Sequence, residues 1–129
     1  MNNNIELLSR VAVFKGRIVD IIHQKMILFG KPLEYEFAHR PPVVIVIPIL
    51  SSKEILLIKQ YRASINKFIL EFPGGAIEKG ESVIEAARRE LKEETGYYAL
   101  KVEFVGFFYA APHFSDEKTF ICLATKLSQ

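Results

Sequence analysis

The sequence has one cysteine, Cys122, among its 129 residues, so no disulfide can close within one chain. That excludes the small disulfide-stapled scaffolds and suits a reducing compartment. An excess of one charge is also missing. The formal net charge is only +2, and Lys and Arg are scattered with no run resembling a basic arm. Nucleic acid is therefore not an expected partner. Long apolar runs are absent too. The longest, residues 43–50, contains Pro48 and is far shorter than the ~20 residues of a spanning helix, so no membrane partner is expected. The start, Met1-Asn2-Asn3-Asn4, is polar and lacks a signal-peptide core. Internal repeats and low-complexity tracts are likewise missing. Together these absences lead to the expectation of a soluble cytoplasmic protein.

What the chain does have is apolar residues, at 50% of the total. A disordered chain is excluded on that count, and the length suits one domain with a real core. Residues 10–14, 17–28 and 33–38 read as strands. Lys15-Gly16 and Gly30-Lys31-Pro32 separate them as turns. The alternation in 33–38 suggests a half-exposed antiparallel sheet, which is marginal alone and should pack on something else. Pro41-Pro42 breaks the pattern, so the expected division is an N-terminal β subdomain at 1–40 and a main domain at 41–129. In the main domain, 43–50 reads as a buried strand and residues 51–54 as a turn. Further strands are expected at 55–61, 67–72, 99–109 and 118–127. Residues 64–66 and 110–117 read as loops.

One stretch organises the rest. Ser82 followed by Glu85 is a capping-box start, Gly96 is a helix stop, and residues 83–95 contain no Gly or Pro. On a helical wheel, Val83, Ile84, Ala87 and Leu91 form an apolar stripe, and Glu90, Glu93 and Glu94 form a second stripe beside it. Glu90 and Glu94 are a like-charge pair, near the helix end where the dipole disfavours anions. Arg89, close to Glu93 and Glu85, balances part of this charge. A hard divalent cation such as Mg²⁺ fits the remainder. The plain alternative is a solvated, charge-rich surface helix.

The order of residues favours the metal. Gly75, five residues, Glu81, seven residues, then Arg89-Glu90-Leu91-Lys92-Glu93-Glu94-Thr95-Gly96-Tyr97 resembles the Nudix box, with a tyrosine where an aliphatic residue is more usual. The resemblance implies an α+β Nudix fold. That fold is a mixed β-sheet with α/β/α sandwich character, here preceded by the small antiparallel β subdomain. The usual C-terminal helix is missing from the given sequence, so either the chain is trimmed or a partner covers that face; an open apolar face is rare on soluble monomers.

Other motifs resemble the ADP-ribose and nucleoside-diphosphate-sugar pyrophosphatase subgroup. They are Lys59-Gln60-Tyr61-Arg62, Glu71-Phe72-Pro73-Gly74-Gly75, and Pro112, sixteen residues after Gly96. Pro112-His113-Phe114-Ser115-Asp116-Glu117 is similar to that group's loop, with His113 in place of a glycine. The implied reaction is hydrolysis of the diphosphate in a nucleoside diphosphate linked to X. For ADP-ribose the products are AMP and ribose 5-phosphate. The implied metal ligands are Glu90, Glu93, Glu94, the carbonyl of Gly74, and Glu81 through water or as loop support. The metal is Mg²⁺, with Mn²⁺ as a substitute.

Arg89 is expected to orient a box glutamate. The general base is Glu117 or else Glu93. Arg62, Tyr35, Phe37 and Arg40 are the expected substrate-binding residues, although strand aromatics such as Tyr61 and Phe72 are ordinarily core and Arg62 can be a surface charge. His23 and His39 read as structural. The resemblance also implies a homodimer through the N-terminal strands. The alternatives are a nucleoside-triphosphate-cleansing enzyme and a non-catalytic nucleotide-binding module.

Overall fold

The computed structural model describes residues 4–51 and 54–129. The chain forms two compact units, one of Met1–Pro41 with Tyr109–Glu117 and one of Pro42–Phe108 with Lys118–Gln129.

In the first unit, β1 (Ile5–Lys15), β2 (Asp20–Leu28) and β3 (Lys31–His39) make an antiparallel sheet in that order. β1 starts five residues before the expected 10–14 strand. Nearly all of it is exposed, so no in-out alternation marks its length. The β2–β3 turn is Phe29-Gly30, one residue earlier than expected. Both residues have positive φ, 51° and 77°, as a tight two-residue hairpin requires. Pro32 therefore falls inside β3, an edge strand, where a missing N–H is tolerated. Residues 109–117 join this sheet: Ala38 N–H donates to Phe114 O at 2.8 Å, and Asp116 N–H to Ala38 O at 3.2 Å.

The second unit is built on β4 (Val43–Ser51). After it come β5 (Glu54–Ile55), β6 (Ile58–Arg62), β7 (Lys67–Glu71), β8 (Gly74–Ala76), α1 (Val83–Thr95), β9 (Tyr98–Tyr109) and β10 (Lys118–Ser128). The main sheet runs β5-β4-β10-β9, with β8 also on β4. It is mixed: β10 is parallel to β4, whereas β5 and β8 are antiparallel to it. The single strand expected at 55–61 is two strands. Its start pairs with β4 and its end forms a separate hairpin with β7. The turn expected at 51–54 includes residues 52 and 53, which lie outside the described residues. β8 was not among the expected strands, because a short Gly-Gly-Ala run carries no apolar alternation.

The core lies between this sheet and α1. Val44, Val46, Cys122 and Ala124 meet Ala86, Ala87 and Leu91, all fully buried. Burial alternates along β4 and β10, because successive strand residues face opposite sides. Leu91→Ala would remove packing worth about 2–5 kcal/mol. Among the described residues α1 is the one helix, and no helix is long and apolar enough to cross a membrane.

Candidate active site

The helix carrying the acidic stripe is fixed at both ends. Ser82 Oγ accepts from Glu85 N–H at 3.2 Å and Glu85 Oε2 accepts from Ser82 N–H at 2.8 Å, which completes the capping box. At the other end Gly96 takes φ 74° and donates its N–H to Lys92 O at 2.9 Å. Glu85 is thus engaged at the cap. The expected neighbour of Arg89 is instead replaced by Glu81, which the 77–82 loop brings to it.

β8 lies against this helix. Its pairing with β4 aligns Gly75 with Val44 and Gly74 with Ile45. Gly74 N–H donates to Glu94 Oε2 at 2.8 Å. A Cβ on Gly75 would stand 2.4 Å from Glu90 Oε1, and one on Gly74 would stand 2.2 Å from Val44 O. The two glycines therefore serve different ends. Gly74 lets the backbone pass close to β4, and Gly75 leaves room for a carboxylate. Glu90 is buried at 9% exposure, so the acidic stripe does not merely flank the core: one of its members enters it.

Arg89 organises the acids. Its Nε and Nη2 donate to the two oxygens of Glu81, each at 2.9 Å. Nη1 donates to Glu90 Oε1 at 2.6 Å and to Glu93 Oε2 at 3.3 Å, and Nη2 also reaches Ala76 O at 3.0 Å. Such a planar, multi-branched fork is peculiar to arginine. The Glu81 hydrogen bonds, then those of Glu90, bind the guanidinium proton more firmly than usual. Glu81 is held below its ordinary range by Arg89 first and by Glu78 N–H second. Glu94 goes the other way. Burial raises it most, and the Glu90 charge adds to this, against the opposing Gly74 N–H and Arg62.

Burial and the Glu90 charge both disfavour the charged form of Glu94, and a bound cation would offset both. Glu90, Glu93, Glu94 and the Gly74 carbonyl offer only oxygen donors, the set preferred by Mg²⁺. By donor chemistry a hard divalent cation fits. Among the described residues no three His, Cys, Asp or Glu side chains form a ready-made cage; Glu90 is engaged by Arg89 and Glu94 by Gly74. Arg62 lies in the same unit, joined to Glu71.

The first unit holds a separate cluster. Arg10, Gln24 and Tyr35 stand in one row across its three strands. With Phe37, they line a cavity of about 350 Å³ together with Tyr109 at the end of β9 and Pro112 and Asp116 of the loop after it. The Arg10 guanidinium sits 4.9 Å from the Phe37 ring centroid, within cation–π range. Tyr35 OH donates to His113 O. Asp116 collects Arg10 at 2.9 Å, His39 Nδ1 at 2.7 Å and Arg40 N–H at 3.3 Å. Burial alone would raise Asp116, but His39, Arg40 N–H and Arg10 together hold it below its ordinary range.

Of the expected substrate residues, Tyr35 and Phe37 line this cavity and Arg40 does not. Arg40 Nη1 instead lies 2.6 Å from Glu117 Oε2. That contact is outside hydrogen-bond angles, and neither Arg40 Nε nor Glu117 Oε2 has a hydrogen-bond partner among the described residues. Arg10 and Asp116 were not among the expected residues. Asp116 lay within the quoted loop motif, which could have flagged it; nothing in the sequence distinguishes Arg10.

Comparison with known proteins bears on these features. Residues 39–128 match the family model described as NUDIX domain. An ADP-ribose pyrophosphatase of Bacillus subtilis (strain 168) is 35% identical over 122 residues, which is 94% of this chain and 66% of that protein. A methanol dehydrogenase activator of Bacillus methanolicus is 36% identical, over 91% of this chain and 64% of its own length. A crystal structure of an ADP compounds hydrolase superposes with a TM-score of 0.84 at 31% identity, covering 97% of this chain and 69% of the other. The chain thus spans slightly less than two thirds of the length of these two curated relatives.

Proposed function

The chain belongs to the NUDIX domain family, and from that premise we propose that it hydrolyses the diphosphate bond of a nucleoside diphosphate linked to X, with ADP-ribose or a nucleotide sugar as substrate. The observation that carries this reading is the pairing of Glu94 and buried Glu90 around the Gly74-Gly75 strand. It gathers carboxylate oxygens against the backbone of a two-glycine strand.

In this reading Glu90, Glu94, Glu93 and the Gly74 carbonyl hold Mg²⁺, or Mn²⁺ in its place. When bound, the ion neutralises phosphate oxygens and acidifies water. Arg89 fixes the Glu90 carboxylate and ties it to Glu81, so Glu81 supports the loop rather than meeting the ion directly. Water adds to one phosphorus, and the bridging P–O bond breaks with its electron pair leaving on the departing phosphate. The water proton passes to a carboxylate: Glu117 is the first choice and Glu93 the second. ADP-ribose would give AMP and ribose 5-phosphate.

Tyr35 and Phe37, with Arg10 opposite, offer aromatic faces and a guanidinium suited to a planar base. The names of the pyrophosphatase and hydrolase relatives support the same substrate class. The protein is further proposed to work as a homodimer through the N-terminal strands, of which β1 exposes Leu7, Val11, Val13 and Phe14, in a cytoplasmic setting. A monomeric mass by light scattering at micromolar concentration would overturn the dimer.

The decisive experiment is incubation with ADP-ribose, sugar nucleotides and nucleoside triphosphates in Mg²⁺, with identification of products. Monophosphate products from the diphosphate compounds are expected. Turnover of triphosphates alone would assign a cleansing enzyme, and no turnover at all would assign a binding module.

A further inference from the structure

Among the described residues the Arg62 side chain makes one hydrogen bond, and its partner is distant along the hairpin. Arg62 Nε donates to Glu71 Oε2 at 2.8 Å. In the β6–β7 ladder Arg62 stands opposite Lys67, whereas Glu71 stands opposite Ile58. Four ladder steps separate the two, roughly 13 Å at about 3.3 Å per residue. Ion pairs between strands ordinarily join residues directly opposite or one diagonal step away. Strand alternation puts Ile58, Gln60, Arg62, Lys67, Ile69 and Glu71 on one face of the hairpin. Arg62 therefore reaches back along this face, away from the like-charged Lys67 and toward the hairpin base.

The base is next to the acidic helix. Glu71 precedes by three residues the Gly74 whose N–H binds Glu94. Both the Arg62 and the Glu71 charges act on Glu94, with opposite signs. Because Glu71 grips only Nε, Nη1 and Nη2 of Arg62 have no hydrogen-bond partner among the described residues. Those two groups are the edge with which a guanidinium takes an oxyanion bidentately. A tethered arginine also loses less rotamer freedom on binding than a free one.

We infer that Glu71 is a positioning residue, which holds the Arg62 guanidinium at the hairpin base with its Nη groups available to a phosphate oxygen of the substrate. This rests on the reading of the site as one that takes a diphosphate.

The sign of the effect makes the inference testable. If Glu71 acted only by its charge, neutralising it would remove a repulsion and tighten anion binding. Positioning requires the reverse. The probe is ADP, titrated calorimetrically in the presence of chelator, with Glu71→Ala, Glu71→Gln, Arg62→Ala and the Glu71→Ala/Arg62→Ala double variant. Glu71→Ala is expected to weaken ADP binding about tenfold, and Glu71→Gln, which keeps an acceptor, by less. The double variant should bind no worse than Arg62→Ala. With Mg²⁺ and ADP-ribose, the KM of Glu71→Ala should rise while kcat stays within about twofold. Tighter binding, an additive double variant, or a loss confined to kcat overturns the inference. If Glu71→Ala fails to fold, Glu71→Gln and its cycle with Arg62→Ala give the same decision. A wild type that binds ADP but hydrolyses nothing defeats the hydrolase reading and leaves the ADP cycle to decide on Glu71. A wild type that does not bind ADP defeats both.

Discussion

The backbone N–H of Gly74 donates to Oε2 of Glu94 at 2.8 Å, which links a three-residue strand to the last turn of the helix. The neighbouring Gly75 makes room for Glu90. Adjacent glycines should therefore fail differently when changed to alanine. In Gly74→Ala the new Cβ meets the Val44 carbonyl oxygen at 2.2 Å, and backbone on β4 must move. A loss of roughly 2–3 kcal/mol is expected, as for other overpacked sites. In Gly75→Ala the obstacle is the tip of the Glu90 side chain at 2.4 Å, which can swing aside. That variant should melt close to wild type while losing more than about tenfold in turnover, since 1.4 kcal/mol of misplaced transition-state contact suffices for that. Thermal melts and steady-state rates on the two proteins separate the cases.

Glu94→Gln tests the metal role directly. Glutamine still offers an oxygen to Gly74 N–H, so the tie between strand and helix survives. The substitution also removes an ionisable group that burial and Glu90 disfavour in its charged form, so stability should hold or rise slightly. Turnover should nonetheless fall at least about a hundredfold with saturating Mg²⁺, the scale on which an anionic group at a reacting centre matters. Chelator should silence the wild type, and added Mg²⁺ should restore it. Wild-type rates in Glu94→Gln would remove this carboxylate from the metal site.

Arg89→Lys keeps the charge and loses the fork. A lysine ammonium cannot serve both oxygens of Glu81 along with Glu90, Glu93 and Ala76 O. Glu90, at 11% side-chain exposure, would keep a poorly satisfied charge. The expected result is a ten- to about a hundredfold loss of activity or metal affinity, as when other groups that orient ligands are changed, together with a lower melting temperature. Activity assays across a Mg²⁺ titration check it: a lowered plateau with an unchanged metal midpoint would exclude the orienting role.

The helix and its caps were legible in the sequence because their signals are local. Ser82, Glu85 and Gly96 act within one turn of themselves, and the acidic stripe follows from 3.6-residue periodicity alone. The buried strands β4 and β10 were legible from their apolar residues. What escaped depends on register. Arg10, between two irregularities in the β1–β2 pairing, joins Gln24 and Tyr35 in one row only because the one at Ala12/Phe14 shifts the register, and no local pattern encodes that. Glu81 replaced Glu85 beside Arg89 because a loop closes, not because of spacing on the helix. β8 was invisible for a similar reason: glycines carry no alternation, and its pairing is set by β4. Arg62 could be singled out from its motif, but its grip on Glu71 across four ladder steps could not.

Glu117 is paired with Arg40 rather than left free, yet its Oε2 has no hydrogen bond among the described residues. A base must bring an acceptor within reach of the water proton, so Glu117 can act as one only when Arg40 gives up this contact. Glu117→Gln is expected to lower kcat about a hundredfold or more, within the usual range for general bases, with little change in substrate affinity. Unchanged kcat would move the role to Glu93, and the matching Glu93→Gln variant should then show the loss.

Asp116 gives the first unit a predictable acid sensitivity. Burial would raise its pKa, but His39, the Arg40 N–H and Arg10 outweigh that and keep it below the ordinary value. A carboxylate with a depressed folded-state pKa stabilises the fold above its unfolded pKa, about 3.9. The contribution disappears as pH falls through that value toward the folded one. Asp116→Asn removes the charge that Arg10 and His39 share. The part of the stability gap between wild type and Asp116→Asn that comes from the Asp116 charge should thus narrow as pH falls below about 4. Denaturant melts of both proteins across that range measure it. A gap that stays the same at every pH would mean that Asp116 contributes through packing and neutral hydrogen bonds, with its charge unused.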